Sequence, residues 1–159
     1  MNKSQLRVGV IGARAVNPEV YDQAYQVGKL LAEQGVLLYS GGRTGVMEAV
    51  SKGAHEAGGL VVGILMTTDP AEANPWVDVP ILTGMGDLRN GILVRSVDGL
   101  IAIDGGYGTL SEIAFALSAE KPLIGLGSWE IEGMLSAKTP EDAVNQLIKA
   151  LTKSGKQAQ

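Results

Sequence analysis

Residues 99–117 read GLIAIDGGYGTLSEIAFAL, which is an apolar run, a glycine-rich turn and a second apolar run. The first run has the length and the isoleucine content of a buried strand, and the segment 109–121 is typical of a helix. Glycine permits a tight turn between them because it lacks a Cβ atom. The stretch therefore predicts a strand, a turn and a helix in direct succession.

The same succession recurs along the chain and predicts one doubly wound α/β domain of the Rossmann-like type. Strands of the buried type that alternate with helices form a parallel sheet with helices on both faces. Pro80 restricts the strand at 77–84 to a sheet edge, because proline lacks the N–H group that a central strand donates. We expect a single domain over 1–159 in which 154–159 is a flexible tail. The other predicted strands are 6–13, 36–42, 60–66, 99–106 and 122–129, and the predicted helices are 17–35, 44–59, 85–97, 109–121 and a last one that opens at Thr139.

The composition argues against several classes of function. The 159 residues include 13 basic and 17 acidic side chains, and no basic run is present that would neutralise a nucleic-acid backbone. The chain has no Cys and one His, so we expect no disulfide, no thiolate metal site and no histidine-rich zinc site. No stretch has the order of a signal peptide or the roughly 18 apolar residues of a membrane span. We therefore expect a cytoplasmic protein that binds neither nucleic acid nor membranes.

Three glycine-rich turns, at 12–17, 40–45 and 104–109, each follow a predicted strand. Ligands of doubly wound sheets bind beyond the carboxyl ends of the strands, where free N–H groups at helix N-termini favour an anion. The chain has neither the P-loop signature nor an intact G-x-G-x-x-G after its first strand. The turns nevertheless predict a phosphate-bearing ligand. The expected contacts are Gly12, Ala13, Arg14, Gly41, Gly42, Arg43, Thr44, Gly45, Arg89, Asp104, Gly105, Gly106, Tyr107, Gly108 and Thr109.

The arginines support this prediction. Arg14 and Arg43 lie inside glycine turns, and Arg89 lies on the helix before the fifth strand. A forked guanidinium group suits phosphate, although surface salt bridges would also explain one or two of these residues. Tyr107, inside the third turn, and Trp76, in a polar loop, are candidates for stacking on a ring.

Glu112 has two interpretations. The segment from Thr109 to Glu112 fits the capping box S/T-x-x-E, in which the glutamate accepts a hydrogen bond at the start of its own helix. That role would explain both residues without any chemistry. The alternative is that Glu112 acts on a ligand bound at the turn.

The motifs resemble those of a known family. The segments DLRNGILVRS (87–96), DGLIAIDGGYGTLSE (98–112) and GGRTGVMEAV (41–50) are similar to the Lonely Guy (LOG) superfamily, which includes proteins once labelled "possible lysine decarboxylases". LOG enzymes cleave the base from a cytokinin nucleoside monophosphate, and their motif glycines and threonine hold the phosphate. An arginine 23 residues before a glutamate acts there at the glycosidic bond, and Arg89 and Glu112 stand at this spacing. The resemblance thus implies that Arg89 and Glu112 are catalytic if this protein is a hydrolase.

Two departures make the chain more similar to molybdenum cofactor carrier proteins, which bind a pterin phosphate without converting it. Asp104 stands where the LOG motif has proline, and Asn90 stands where LOG enzymes have lysine. The resemblance then implies a protein that binds a nucleotide or a pterin phosphate, with the molybdenum cofactor as cargo. The alternative is a LOG-like phosphoribohydrolase. Lysine decarboxylation is not expected, since the glycine turns contain no lysine for a pyridoxal phosphate, and the residues do not decide whether Mg²⁺ accompanies the phosphate.

Self-association is also expected. The predicted helices at 86–97 and 110–117 carry more apolar positions than one sheet face covers, which is typical of a subunit interface. We expect a homodimer or a homotetramer. A third hypothesis, a sensor in which nucleotide binding only alters self-association, remains open on the same grounds.

Overall fold

The computed structural model describes residues 4–157 and consists of seven strands, five α-helices and two short 3-10 helices. The strands are β1 Arg7–Gly12, β2 Leu37–Ser40, β3 Val61–Leu65, β4 Val79–Leu82, β5 Gly99–Ile103, β6 Leu123–Leu126 and β7 Leu135–Ala137. The α-helices are α1 Pro18–Glu33, α2 Val46–Glu56, α3 Arg89–Ser96, α4 Tyr107–Ser118 and α5 Pro140–Gln157, and the 3-10 helices are Pro70–Glu72 and Gly86–Leu88.

The strands form one parallel sheet in the order β4-β3-β2-β1-β5-β6-β7, and this confirms the predicted α/β fold. From β1 the chain winds outward to β4, then returns to place β5 on the other side of β1. The strand order therefore reverses between β1 and β5, and a crevice opens at such a point at the carboxyl end of the sheet.

Each face of the sheet has its own apolar core, because successive strand residues point to opposite faces. Val8 and Val10 of β1 pack with α1, α2 and α5 on one face. Ile11 packs with α3 and α4 on the other face. Three helices thus cover one face and two cover the other, so the α3–α4 side is the more thinly covered of the two.

Several elements differ from the sequence prediction in their bounds. Pro80 lies on an edge strand as predicted, but β7, the other edge, was not predicted. Helix α4 begins at Tyr107 with Gly106 as its N-cap, two residues before the predicted start. The capping-box interpretation of Glu112 is therefore wrong, because Thr109 lies inside the helix and not at its cap.

The C-terminal helix α5 extends through Gln157 and so includes most of the segment that the sequence predicted as a flexible tail. Residues 158 and 159 of that predicted tail lie outside the described residues. Of the helices within residues 4–157, none is both long enough and apolar enough to cross a membrane.

Glu120, two residues after the end of α4, has a backbone conformation that disfavours an L-residue. Its φ of 54° lies in the left-handed region, where an L-residue is disfavoured by about 1–2 kcal/mol and glycine is not. Its side chain is exposed and makes no hydrogen bond or ion pair with another described residue. Glu120→Gly is therefore expected to raise the free energy of unfolding by about 1 kcal/mol, measured by urea denaturation.

The matched control is Glu120→Gln, which removes the carboxylate charge near the helix C-terminus but keeps the Cβ atom. It is expected to gain only a few tenths of a kcal/mol. Equal gains for the two variants would show that charge, and not backbone conformation, limits stability at this position.

Candidate functional site

A cavity of about 420 Å³ opens at the reversal point, beyond the carboxyl ends of β1 and β5. The turn after β1, the first residue after β2 and the N-terminal ends of α3 and α4 contribute to its wall. A volume of this size suits a small-molecule ligand. The lining residues are Val10, Ile11, Gly12, Ala13, Arg14, Gly41, Met47, Arg89, Asn90, Gly106, Tyr107, Gly108, Thr109 and Glu112.

The turn between β5 and α4 presents free backbone donors to this cavity. Gly105 has a φ of 119°, and a Cβ atom there would lie 2.5 Å from the buried side chain of Thr109, so only glycine fits this turn. In residues 4–157 no group accepts a hydrogen bond from the amides of Tyr107, Gly108 or Thr109, while the amide of Leu110 donates to Gly106 O at 3.0 Å. The three unpaired amides and the helix dipole make this end of α4 attractive to an anion.

Arg89 is the second cationic feature of the cavity and is only 5% exposed. Its Nη1 atom donates to the carbonyl oxygens of Gly41 at 2.8 Å and Ile64 at 2.5 Å. Its Nε atom is buried and has no partner among the described residues. A Cβ atom at Gly41 would lie 2.5 Å from Nη1, which explains why glycine follows β2 at this point. Burial lowers the pKa of Arg89, and the nearby Glu112 carboxyl opposes this shift.

Glu112 lies on the inward side of α4, where it lines the cavity and is 9% exposed. Its carboxyl group makes no hydrogen bond with any described residue, and no cationic group in the described part of the chain lies within ion-pair distance of it. Burial raises the pKa of Glu112 to about 8, although Arg89 and Arg14 both favour the ionised form. At neutral pH most Glu112 side chains are therefore protonated, and the cavity keeps the positive charge of its arginines.

Arg14 is the accessible cation of the cavity. It follows β1, and its side chain is 61% exposed. Its Nη2 atom lies 3.8 Å from an oxygen of Asp87, which is also exposed, so this ion pair contributes little to stability. The side chain is thus free to turn toward an anion in the cavity.

The turn after β2 contributes only Gly41 to the cavity lining. The amide of Gly42 donates to Ser40 Oγ at 3.1 Å, and Thr44 Oγ1 donates to Arg14 O at 2.9 Å. The amide of Val46 donates to Ala13 O at 2.9 Å. Gly42, Arg43, Thr44 and Gly45 were expected to contact the ligand, but they lie outside the cavity lining, and the turn supports the neighbouring one after β1.

The guanidinium group of Arg43 points into the loop between β3 and β4. Its Nε atom forms an ion pair with Glu72 at 3.0 Å, and its Nη1 atom lies 3.1 Å from Met66 Sδ. Asn74 of the same loop donates from Nδ2 to Arg43 O at 2.9 Å. In this arrangement Arg43 anchors the loop and is not directed at the cavity.

Asp104 and Gly105 also lie behind the cavity wall, while Gly106, Tyr107, Gly108 and Thr109 form part of it. The carbonyl oxygen of Asp104 accepts a hydrogen bond from Ser128 Oγ at 2.6 Å, and this bond ties the turn to the loop after β6. Asp104 has a φ of 52°, so its position is set by the turn conformation.

Four cavity residues were not predicted: Val10, Ile11, Met47 and Asn90. Asn90 is buried, and its Nδ2 atom donates to Ser111 Oγ at 3.2 Å, while Ser111 donates to Gly108 O at 2.6 Å. The sequence signal for Asn90 was its place beside Arg89 in the DLRN segment. The three apolar residues gave no such signal, since they resemble ordinary core positions.

Two further residues, Trp76 of the polar loop and Arg95 of α3, lie outside the cavity lining. Trp76 packs beside His55, with ring centroids 5.8 Å apart, and Lys52 Nζ lies 5.5 Å from the Trp76 ring centroid. Arg95 lies in a cleft with Arg7 and Lys121, at the end of α3 away from the cavity. Within residues 4–157, no three His, Asp or Glu side chains are grouped as a metal site.

Comparisons with known proteins match this fold. A model of the SLOG cluster4 family matches residues 5–155. The structure of the molybdenum cofactor binding protein from Rippkaea orientalis is 37% identical, covers 95% of this chain and 99% of its own, and has a TM-score of 0.88. The molybdenum cofactor carrier protein of Chlamydomonas reinhardtii is 33% identical with a TM-score of 0.83, and the match covers 94% of this chain and 99% of that one.

An enzyme is also among the relatives. The cytokinin riboside 5′-monophosphate phosphoribohydrolase LOG of Oryza sativa subsp. japonica is 38% identical over 96 residues. These residues are 58% of this chain but only 39% of that enzyme, so the match spans less than half of its length. Because the family model covers nearly the whole chain, the protein belongs to the SLOG cluster4 family and, with it, to the LOG-like superfamily.

Proposed function

We propose that this protein binds a phosphate-bearing heterocycle without converting it, and that it carries a pterin phosphate such as the molybdenum cofactor. The observation that carries the proposal is the convergence, in one cavity, of the unpaired amides at the start of α4 with the buried guanidinium group of Arg89. Backbone amides and a guanidinium group are the donors that phosphate oxygens accept best. The phosphate would bind at Gly106–Thr109, with Arg14 closing over it from the solvent side.

The charge of the cavity supports an anionic ligand. Arg14 and Arg89 are cationic, and Glu112 is mostly protonated at neutral pH because burial raises its pKa to about 8. An ionised carboxylate beside the phosphate would repel it, whereas a protonated one offers an O–H donor. The acid in the cavity is therefore compatible with anion binding near pH 7.

The comparisons support the carrier activity in particular. The two similar structures bind or carry the molybdenum cofactor, and each matches this chain over nearly all of its length. The chain has no cysteine, so no protein thiolate would hold the molybdenum. Recognition would instead depend on the phosphate contacts and on the shape of the cavity, and the metal would be part of the cargo.

A phosphoribohydrolase is the second candidate, because Arg89 and Glu112 line the same cavity at the spacing of the LOG motif. In that reaction Glu112 would stabilise the positive charge that develops on the ribose ring, and Arg89 would orient the substrate. A protonated glutamic acid stabilises positive charge poorly, and burial keeps Glu112 mostly protonated at neutral pH. This feature favours binding over hydrolysis.

We also propose that the protein acts in the cytoplasm as a homodimer or homotetramer that associates through α3 and α4. Leu88 is 71% exposed, and Phe115 is exposed with its ring 3.9 Å from the position that a Cβ of Gly91 would occupy. Exposed apolar side chains such as Phe115 of α4 and Leu88, directly before α3, are typical of an association surface. A second copy of this chain is the proposed occupant because the α3–α4 side has only two helices to cover its half of the sheet.

Arg14→Ala tests the phosphate site with little risk to folding, since this side chain is exposed. Loss of a charge-assisted hydrogen bond is expected to weaken AMP binding about tenfold, measured by isothermal titration calorimetry. Arg95→Ala is the matched control, because it removes an exposed arginine at the other end of α3, and it is expected to leave the affinity unchanged. If both variants bind AMP as tightly as the wild type, the phosphate does not lie near Arg14.

Turnover separates the two candidate functions. The protein purified from cells that make the molybdenum cofactor is expected to retain a pterin phosphate in native mass spectrometry, and to release no adenine from AMP. Release of adenine that Glu112→Gln abolishes would instead establish the hydrolase. A protein that retains no pterin phosphate and neither binds nor cleaves AMP would exclude both candidates.

Glu112 makes binding depend on pH. Its pKa of about 8 means that the carboxyl group loses its proton as the pH rises from 7 to 9, while a phosphate monoester, with a second pKa of about 6, stays dianionic. Repulsion between the new carboxylate and the phosphate is expected to weaken AMP binding about fivefold over this range, which corresponds to a coupling of about one pKa unit. Glu112→Gln should bind with the same affinity at pH 7 and pH 9, and an equal loss in this variant would assign the titration to another group.

Phe115→Lys tests the association surface. A charge at the centre of the α3–α4 face is expected to dissociate the oligomer into monomers at micromolar concentration, measured by sedimentation velocity. Leu60→Lys is the control, because Leu60 is similarly exposed but lies beside the amino end of β3. A wild-type protein that sediments as a monomer would overturn the proposed assembly and leave the binding site unaffected.

A further inference from the structure

Two aromatic side chains stand at the mouth of the cavity, and the proposed phosphate contacts use neither of their rings. Tyr107, the first residue of α4, is 84% exposed although it lines the cavity, and Trp129, in the loop after β6, is 37% exposed. Their ring centroids are 6.3 Å apart, and the ring planes are inclined by 32°. The chain has only two Trp, four Tyr and one Phe, so two of its seven aromatic residues meet here.

Trp129 is attached to the same turn that presents the free amides. Its Nε1 atom donates to the carbonyl oxygen of Gly106 at 3.2 Å. The preceding residue, Ser128, donates to the carbonyl oxygen of Asp104 at 2.6 Å. Two hydrogen bonds therefore hold the loop after β6 against the turn, and they fix the indole ring relative to the start of α4.

The spacing of the rings decides how they would be used. A ligand ring inserted between two aromatic rings needs a contact distance of about 3.5 Å on each side, so the two rings must lie about 7 Å apart. The ring centroids of Tyr107 and Trp129 are only 6.3 Å apart. Trp129 therefore supports one side of Tyr107, and the other side of the Tyr107 ring is open to solvent. A flat ring attached to a phosphate at Gly106–Thr109 would reach this open side at the cavity mouth.

We propose that Tyr107, held in place by Trp129, is the stacking platform that selects a ligand with an aromatic heterocycle over a sugar phosphate without one. This inference rests on the proposed phosphate site at the start of α4. Stacking is tolerant of ring type, so the platform would accept a purine as well as a pterin. Tyr107 contacts the ligand directly, whereas Trp129 is a positioning residue that acts through Tyr107.

The test compares AMP with ribose 5-phosphate, which has the same phosphate and sugar but no ring. The wild type is expected to bind AMP at least about tenfold more tightly than ribose 5-phosphate. Tyr107→Ala should remove most of this preference by weakening AMP far more than ribose 5-phosphate, while Tyr107→Phe should keep it. Trp129→Ala should reduce the preference severalfold, and Arg14→Ala, in contrast, should weaken both ligands alike.

Fluorescence gives a second readout. In a Trp76→Phe background, which leaves Trp129 as the sole tryptophan, AMP is expected to change the emission and ribose 5-phosphate is not. The platform is overturned if Tyr107→Ala weakens both ligands equally, if it weakens neither, or if it changes only the sedimentation coefficient, which would place Tyr107 in a subunit contact. If the wild type binds neither ligand, the proposed phosphate site fails together with the platform.

Discussion

The buried guanidinium group of Arg89 is the constraint on which the cavity depends. Burying a cation costs several kcal/mol unless partners compensate for the lost water, and here the carbonyl groups of Gly41 and Ile64 compensate at one nitrogen only. Within residues 4–157 the Nε atom has no hydrogen-bond partner, and Glu112, the acid that most favours the Arg89 cation, is mostly protonated at neutral pH. The fold therefore leaves part of the positive charge of Arg89 uncompensated beside an open cavity, and a bound anion would compensate it.

The rest of the carboxyl edge holds this arrangement in place. The turn after β2 supplies the Gly41 carbonyl, and its own donors are used internally or to hold the turn after β1. The loop between β3 and β4 is fastened to it through Arg43, Glu72 and Asn74. Glycine-rich turns that look equivalent in the sequence thus have different tasks, because one presents free amides to the cavity while another serves as its support.

The sequence was sufficient for the sheet because buried parallel strands are continuous apolar runs. It failed at β7, whose three residues are mostly exposed and too few to form a run. It also placed the start of α4 two residues late. Gly106 and Gly108 favour a turn locally, but in the fold Gly106 is the N-cap of the helix and Gly108 lies in its first turn.

The ion-pair partner of Arg43 could not be predicted from the sequence, because the path of a loop that no local pattern specifies brings Glu72 to it. Trp129 was missed for the same reason, as only the tertiary structure brings it to Tyr107.

Arg89 and Glu112 are also linked through the ligand. Burial alone holds Glu112 protonated against the influence of two arginines, so its protonation is balanced near pH 8. A phosphate in the cavity would compensate the arginines and add a like charge, and both effects raise the pKa of Glu112 further. Ligand binding would then be coupled to proton uptake, and this coupling would keep Glu112 protonated at neutral pH.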